Sequence, residues 1–378
     1  MAKQTTSISR KSLLMTLCLA FFALLAACDK PQADKTVESA PPQTAVTEET
    51  VNSGSLDTIF PDTKSIPIVD IAVNTNETLL ATAQGKEIAI WDIKTGKRIS
   101  TTQMPIEDDN GQEFFGHIYS IKFLPNQDLL AFAGAGSYIY LYDLKKKELT
   151  LRLPTGLSVN IASICVSPDG QYLAATYMGV KIWLLSNQKR IIFDENYNNG
   201  IAFSCDFSYK NNLITSTTDG SLHLYNLDNT SSKLMRTRRF DGLTIFKISL
   251  HQKTEKLAIS YIKDGKFSLG IANMRNLTID AEADGENIND IIFARGLTWS
   301  KDGEYLYAGG KYHDGNGSAP VFYWANGGLG KRNQIKGGRT YVQSVLTLSN
   351  GNIIVATADP AWLIQDQQGN LLLYKGQN

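Results

Sequence analysis

The chain has four imidazoles, His117, His223, His251 and His313, and no two of them stand at a local metal-ligand spacing. HExxH, GxSxG and CxxC, which would place a metal with its base, an exposed nucleophile or a redox pair, are absent. His223 alternates with Leu222 and Leu224 as on a strand, His251 falls in a turn, and His117 is expected to bond within its own repeat. The stretch NGGLGKR (326–332) sets Gly-Lys after glycines, yet Ala325 stands where a phosphate loop needs its first glycine. Arg332 replaces the Ser or Thr that would meet a metal, so a flexible loop is expected there. In HDGNGS (313–318), Asp314, Asn316 and Ser318 alternate like the opening of a calcium loop, but Ala325 occupies the twelfth position, where a bidentate acid belongs. That stretch reads as a hairpin tip. No catalytic residue, no metal site and no cofactor are expected.

Cysteine is the remaining chemistry. Cys18 lies in an apolar run from Leu13 to Ala27, and Cys28 follows that run at once. Cys165 and Cys205 lie far downstream. Aligning ICVSPDG with CDFSYKN on their serines puts the two thiols on opposite faces of successive strands. Two separate buried thiols are therefore expected, with a single disulfide as the alternative.

The apolar run is preceded by Lys3, Arg10 and Lys11 and closed by Ala26 and Ala27, the order of a secretory leader. It falls short of the about 20 residues a spanning helix needs. The stretch LLAAC (24–28) resembles the lipobox of bacterial lipoproteins. That resemblance implies removal of residues 1–27 and acylation of Cys28, with palmitate or a similar chain; two or three acyl chains anchor stably where one does not. Asp29 resembles the signal that retains enterobacterial lipoproteins at the inner membrane. A periplasm-facing position on the inner membrane is accordingly favoured over the outer membrane. From residue 28 to 63 the chain is poor in large apolar side chains and cannot offset its ordering entropy. It reads as a tether of roughly 30 residues with a reach of about 30 Å.

From residue 64 to 378 one pattern recurs: an alternating apolar strand, a polar turn, a strand rich in small residues, and a third strand ending in an aromatic. The turns read NTNE, PNQD, SPDG, YKNN, HQKTE, SKDG and SNGN, beginning at Asn74, Pro125, Ser167, Tyr209, His251, Ser300 and Ser349. Asn, Asp and Gly tolerate the positive φ of tight turns, and a spacing of roughly 40–50 residues is that of a repeat architecture. Second strands such as LLATA and YLAAT precede third strands such as EIAIWD, YIYLYD, VFYWAN and, in the last unit, AWLIQD. KRISTTQ, ELTLRLP and KRIIFD are candidate fourth strands, as is NLLLYKG near the C-terminus. No helical period is present, so the chain is expected to be all-β.

SPDGQYLAATYMGVKIW, SKDGEYLYAGG, the Trp91-Asp92 pair and Gly116-His117 resemble Trp-Asp (WD) repeat propellers, and IWDIKTGKRI also resembles quinoprotein-type (YVTN-like) ones. The resemblance implies a seven-bladed β-propeller of four-stranded antiparallel blades. The phase suggests that each blade is continuous in sequence, with closure by apolar packing and Thr58 to Phe60 the one candidate for an added strand.

Equal numbers of acids and bases, 37 of each, argue against a nucleic-acid partner. Basic clusters at Lys145–Lys147, at Arg236, Arg238 and Arg239, and at Lys331, Arg332, Lys336 and Arg339 read as solvated sheet edges. Loops between second and third strands and between blades are expected to line the two faces, and they carry Phe114, Phe115, Tyr138, Tyr177, Tyr312 and Trp362. Tyr177, Tyr312 and Trp362 are the candidate partner-binding rim. Phe114 and Phe115 are a second candidate, or else plug the crevice between the first two blades. The expected function is that of a monomeric, non-catalytic scaffold, anchored by lipid and binding another cell-envelope protein. In architecture it resembles the propeller lipoprotein of the outer-membrane barrel assembly machinery. The alternatives are an immunity protein against a toxic effector in the periplasm, and a propeller enzyme or small-ligand sensor using the central channel.

Overall fold

Each turn sequence closes a hairpin by the bonding its residues allow. In the first, Asn74 Oδ1 accepts from the amides of Thr78 and Leu79, both at 2.9 Å, and Glu77 takes φ 54°. In the third, Asp169 accepts from Ser167 Oγ at 2.6 Å and from the Gln171 amide at 2.9 Å, while Gly170 supplies φ 71°. The computed structural model describes residues 56–59, 67–104, 117–136, 138–155, 161–186, 190–197, 200–228, 232–285, 292–311, 319–338, 342–357 and 371–375. All lie in one compact unit, residues 52–378.

Seven four-stranded antiparallel sheets form among these residues. The innermost strands of blades one to seven are Ile68–Val73, Ile118–Phe123, Ser163–Val166, Ala202–Phe207, Leu243–His251, Ile292–Trp299 and Val342–Thr347. Each lies against the innermost strand of the next blade, and the seventh lies against the first. This is the expected seven-bladed, WD-repeat-like propeller. Apolar side chains gather into seven seams, one between each pair of neighbouring blades. Second and third strands are therefore buried on both faces, as in Tyr172–Thr176 and Gly179–Leu184. The small residues of the second strands let adjacent sheets approach. At Gly309 of blade six a Cβ would stand 2.6 Å from Val342 Cγ1 of blade seven.

Three expectations are corrected. NLLLYKG is not a fourth strand: Leu371–Tyr374 pairs with Ile353–Thr357 as the third strand of blade seven. The N-terminal strand Leu56–Ile59, inside the segment read as tether and overlapping the candidate added strand Thr58 to Phe60, pairs antiparallel with Leu371–Tyr374 and completes that blade. Closure thus uses backbone hydrogen bonds between the two ends of the propeller, and AWLIQD lies outside the described residues. Residues 325–328, expected as strand end and flexible loop, form one tight turn in which Asn326 and Gly327 take φ 53° and 62° and the Gly327 amide donates to Glu304 O at 2.8 Å.

Cys165 and Cys205 form a disulfide, with Cα atoms 6.1 Å apart. The parity argument misled because the cysteines are on stacked sheets and not on one sheet. The surface that blade three turns toward blade four meets the opposite face of blade four, so opposite parity brings the thiols together in the seam they share. Cross-linking positions 40 apart in sequence removes unfolded-state entropy worth about 2–4 kcal/mol. Replacing both cysteines by alanine is expected to lower the unfolding free energy by that amount in a urea titration. Reductant should then destabilise the parent protein and leave the variant unchanged.

Candidate functional site

The innermost strands share an irregularity that no local sequence signal announces. In six blades the ladder to the second strand slips, once in five of them and twice in blade six, leaving Val69, Tyr119, Phe203, Phe246, Arg295 and Gln343 unpaired at equivalent positions. A bulge bends its strand and re-aims the side chains beside it. Asp70, Ser120, Ser204, Lys247, Gly296 and Ser344 come next in the chain, with Ser163 their counterpart in blade three.

These following residues join blade to blade. Asp70 Oδ2 accepts from the Ile121 amide at 3.1 Å, from Lys122 Nζ at 3.2 Å and from Ser120 Oγ at 3.4 Å, all in blade two. Its Oδ1 accepts from Ser344 Oγ of blade seven at 3.3 Å. Ser120 Oγ accepts from the Ile164 amide at 3.2 Å, and Ser204 Oγ from the Ile248 amide at 3.2 Å. The side chain of one blade thus takes the place of a solvent acceptor for the strand of the next, because a buried amide left unpaired is costly. Gly296 has no acceptor to offer, but a Cβ there would stand 2.7 Å from Val345 Cγ2, so its absence admits blade seven.

Charge concentrates on the same strands. Lys247 of blade five interacts electrostatically with Asp70 of blade one, Lys122 of blade two, Asp206 of blade four and Arg295 of blade six. All five residues lie on innermost strands, which ring the axis of the propeller. Arg295 also interacts with Tyr119 of blade two, across the ring. Lys247 is half-buried, and burial holds its ammonium below the usual lysine range, since desolvation disfavours the charged form. Burial pushes Asp206 up, opposed by bonds accepted from the amides of Leu250 at 2.9 Å and Phe207 at 2.8 Å. Burial likewise raises the Tyr119 phenol.

Of the rim residues expected from sequence, Tyr177 is 4% exposed, not the accessible anchor anticipated. Its backbone holds the turn and the next blade: the Tyr177 amide donates to Gly179 O, and Tyr177 O accepts from the Ala202 amide. Cys28, Phe114, Phe115, Tyr312 and Trp362 lie outside the described residues. Strand direction corrects another expectation. Within every blade, second-to-third connections and exits to the next blade fall at the same end, so both kinds of loop serve one face and not two.

The histidines have structural places. His251 is buried, its Nδ1 2.7 Å from Thr254 Oγ1 and its Nε2 3.3 Å from Lys301 O, so it pins blade five to the first turn of blade six. His223 stacks on Tyr197 with centroids 4.6 Å apart. His117 is exposed, and its carbonyl accepts from the Ala135 amide at 2.9 Å. His313 is outside the described residues. Among the described residues no group of His, Cys, Asp and Glu could hold a metal ion, and no helix is long and apolar enough to cross a membrane. The described basic clusters sit at outer edges, where Lys145 pairs with Asp128 at 2.5 Å and Arg239 with Asp241 at 3.5 Å.

Sequence reasoning passed over the axial residues. The signal present was a polar residue interrupting an apolar strand in IVDIAV, IYSIKF, AFSCDF and LTIFKISLH.

The family described as WD domain, G-beta repeat, matches residues 109–143, a span holding Gly116-His117 and the inner three strands of blade two. No curated protein matches the chain. The chain is similar to that repeat in sequence there and in architecture throughout the described blades, and the repeat builds protein-interaction scaffolds that are typically not catalytic.

Asp70 is the test of how this site is held. Its side chain is 15% exposed and serves three blades, so Asp70→Ala leaves the Ile121 amide without its acceptor and removes the carboxylate's bonds to Lys122 and Ser344. A loss of about 2–4 kcal/mol is expected in denaturant titration. Asp70→Asn, which retains an acceptor, should lose about half as much.

Proposed function

We propose that the protein is a lipid-anchored, non-catalytic binding platform of the bacterial cell envelope, facing the periplasm, with the inner membrane favoured over the outer. The observation that carries the binding role is topological: each blade sends two connections to the same end of the channel, which makes that end a broad surface of loops on a rigid ring. The strands flanking residues 312–318 and 358–370 end there, so Tyr312 and Trp362 remain the candidate anchors for a protein partner. LLAAC and the polar segment behind it support attachment through Cys28. The Cys165–Cys205 disulfide supports an oxidising compartment, since such bonds persist outside the reducing cytosol.

Two measurements test this reading. Cys28→Ser is expected to abolish palmitate labelling and to release the protein from the membrane pellet. Equal membrane recovery with and without Cys28 would remove the anchor. In-cell crosslinking of the anchored protein should recover one envelope protein, with recovery falling roughly tenfold or more in Tyr312→Ala/Trp362→Ala, as expected when hot-spot aromatics are truncated. Recovery unchanged by the double substitution would place the partner elsewhere.

A further inference from the structure

Lys247 breaks the logic of the ring that holds it. Asp70, Ser120 and Ser204, at equivalent positions, each accept a backbone amide from the next blade, whereas an ammonium has nothing to accept with. Among the described residues Lys247 Nζ makes neither a hydrogen bond nor an ion pair. The nearby carboxylates are otherwise engaged: Asp70 takes Lys122 at 3.2 Å, and Asp206 accepts the Leu250 and Phe207 amides. A half-buried cation with no direct ion pair, whose nearest opposite charges Asp70 and Asp206 are already engaged, costs stability, and folding alone would be served better by an apolar side chain there. Residues that break a local rule in this way belong to functional sites more often than elsewhere.

The surroundings indicate what would satisfy it. Three cations, Lys122, Lys247 and Arg295, face two carboxylates, Asp70 and Asp206, an excess of one positive charge that a monoanion balances. Arg295, which donates through Nη1 to Gln343 Oε1 at 3.1 Å, adds a planar fork suited to a carboxylate. Phe203 and Phe246 stand at the bulge positions of the innermost strands of blades four and five and are half-buried, so each offers apolar surface on Lys247's strand or the one before it.

We propose that the axial channel binds a carboxylate, paired with the Lys247 ammonium and the Arg295 guanidinium, with the remainder of the ligand against Phe246 and Phe203. This goes beyond the scaffold reading and does not depend on the lipid anchor or on the loop face. The carboxylate has two sources with the same chemistry: a free small organic acid, or the C-terminus of a partner chain entering the channel.

The experiment titrates the full chain with 4-fluorobenzoate, observed by fluorine NMR, and in parallel with a short alanine peptide bearing a free C-terminus. 4-Fluorobenzamide and the amidated peptide are the neutral controls, and inorganic phosphate is a competitor. Saturable binding of at least one carboxylate is expected, with no binding of its amide; which one binds identifies the source. Lys247→Met should weaken it about tenfold or more, as for loss of one charge-assisted contact. Lys247→Arg should retain most of it. Because Lys247→Met removes a desolvated charge, its Tm is expected to equal or exceed that of the parent. If it fails to fold, Arg295→Gln provides the same decision by weakening binding in a folded protein. Absence of saturable binding by both carboxylates, equal binding of the amides, tighter binding of phosphate, or affinity unchanged in the folded variant would each overturn the proposal.

Discussion

The seam between blade seven and blade one holds the ring shut, and every other seam depends on it. A closed ring of sheets has no interior strand edge, but only if its ends meet, because an open one exposes two apolar blade faces at once. Leu56–Ile59 pairs with Leu371–Tyr374 through the backbone and completes blade seven, and three kinds of contact then join that blade to blade one. Ile71, Trp91 and Ile354 pack in one apolar cluster. Glu77 accepts from the Ser349 amide at 2.7 Å and from its hydroxyl at 3.0 Å. Ser344 donates to Asp70. Apolar burial dominates in energy; the polar contacts set the register in which the blades meet.

Closure is also what creates a site. Side chains on seven separate strands converge only when the ring is complete, so Lys122 of blade two and Arg295 of blade six act on Lys247 of blade five because the axis brings them near. The inner-strand bulges give this convergence its regularity. Each slips the ladder by one residue at the same level, so that one residue is left unpaired and its successor reaches the next blade. The polar groups at the axis therefore divide their work: Asp70, Ser120 and Ser204 tie blades together, while Lys247 is held within the same framework without a direct ion pair among the described residues.

Much of the blade was legible because its physics is local. Turn chemistry at Asn74, Ser167 and Ser349 and alternation in strands such as Glu87–Asp92 require no knowledge of neighbours. Assignments failed where a second sheet intervened. The strand identity of NLLLYKG depended on which chain segment lay beside it. Tyr177 looked like an exposed loop aromatic because a turn between strands is usually solvated, yet the adjoining blade covers it. Opposite parity at Cys165 and Cys205 separates side chains within a sheet and joins them between stacked sheets.

By itself, then, the sequence determined the all-β repeat, the number of units, the places of the turns and the lipobox-like motif at Cys28, since each follows from residues near one another in the chain. Tertiary structure alone decided which strand completes the last blade, that the two cysteines pair, and that Asp70, Lys122, Asp206, Lys247 and Arg295 share one channel. Those outcomes rest on contacts between residues far apart in the chain, 274 positions for Ser344 with Asp70, and no periodicity within a single strand encodes the angle at which seven twisted sheets close.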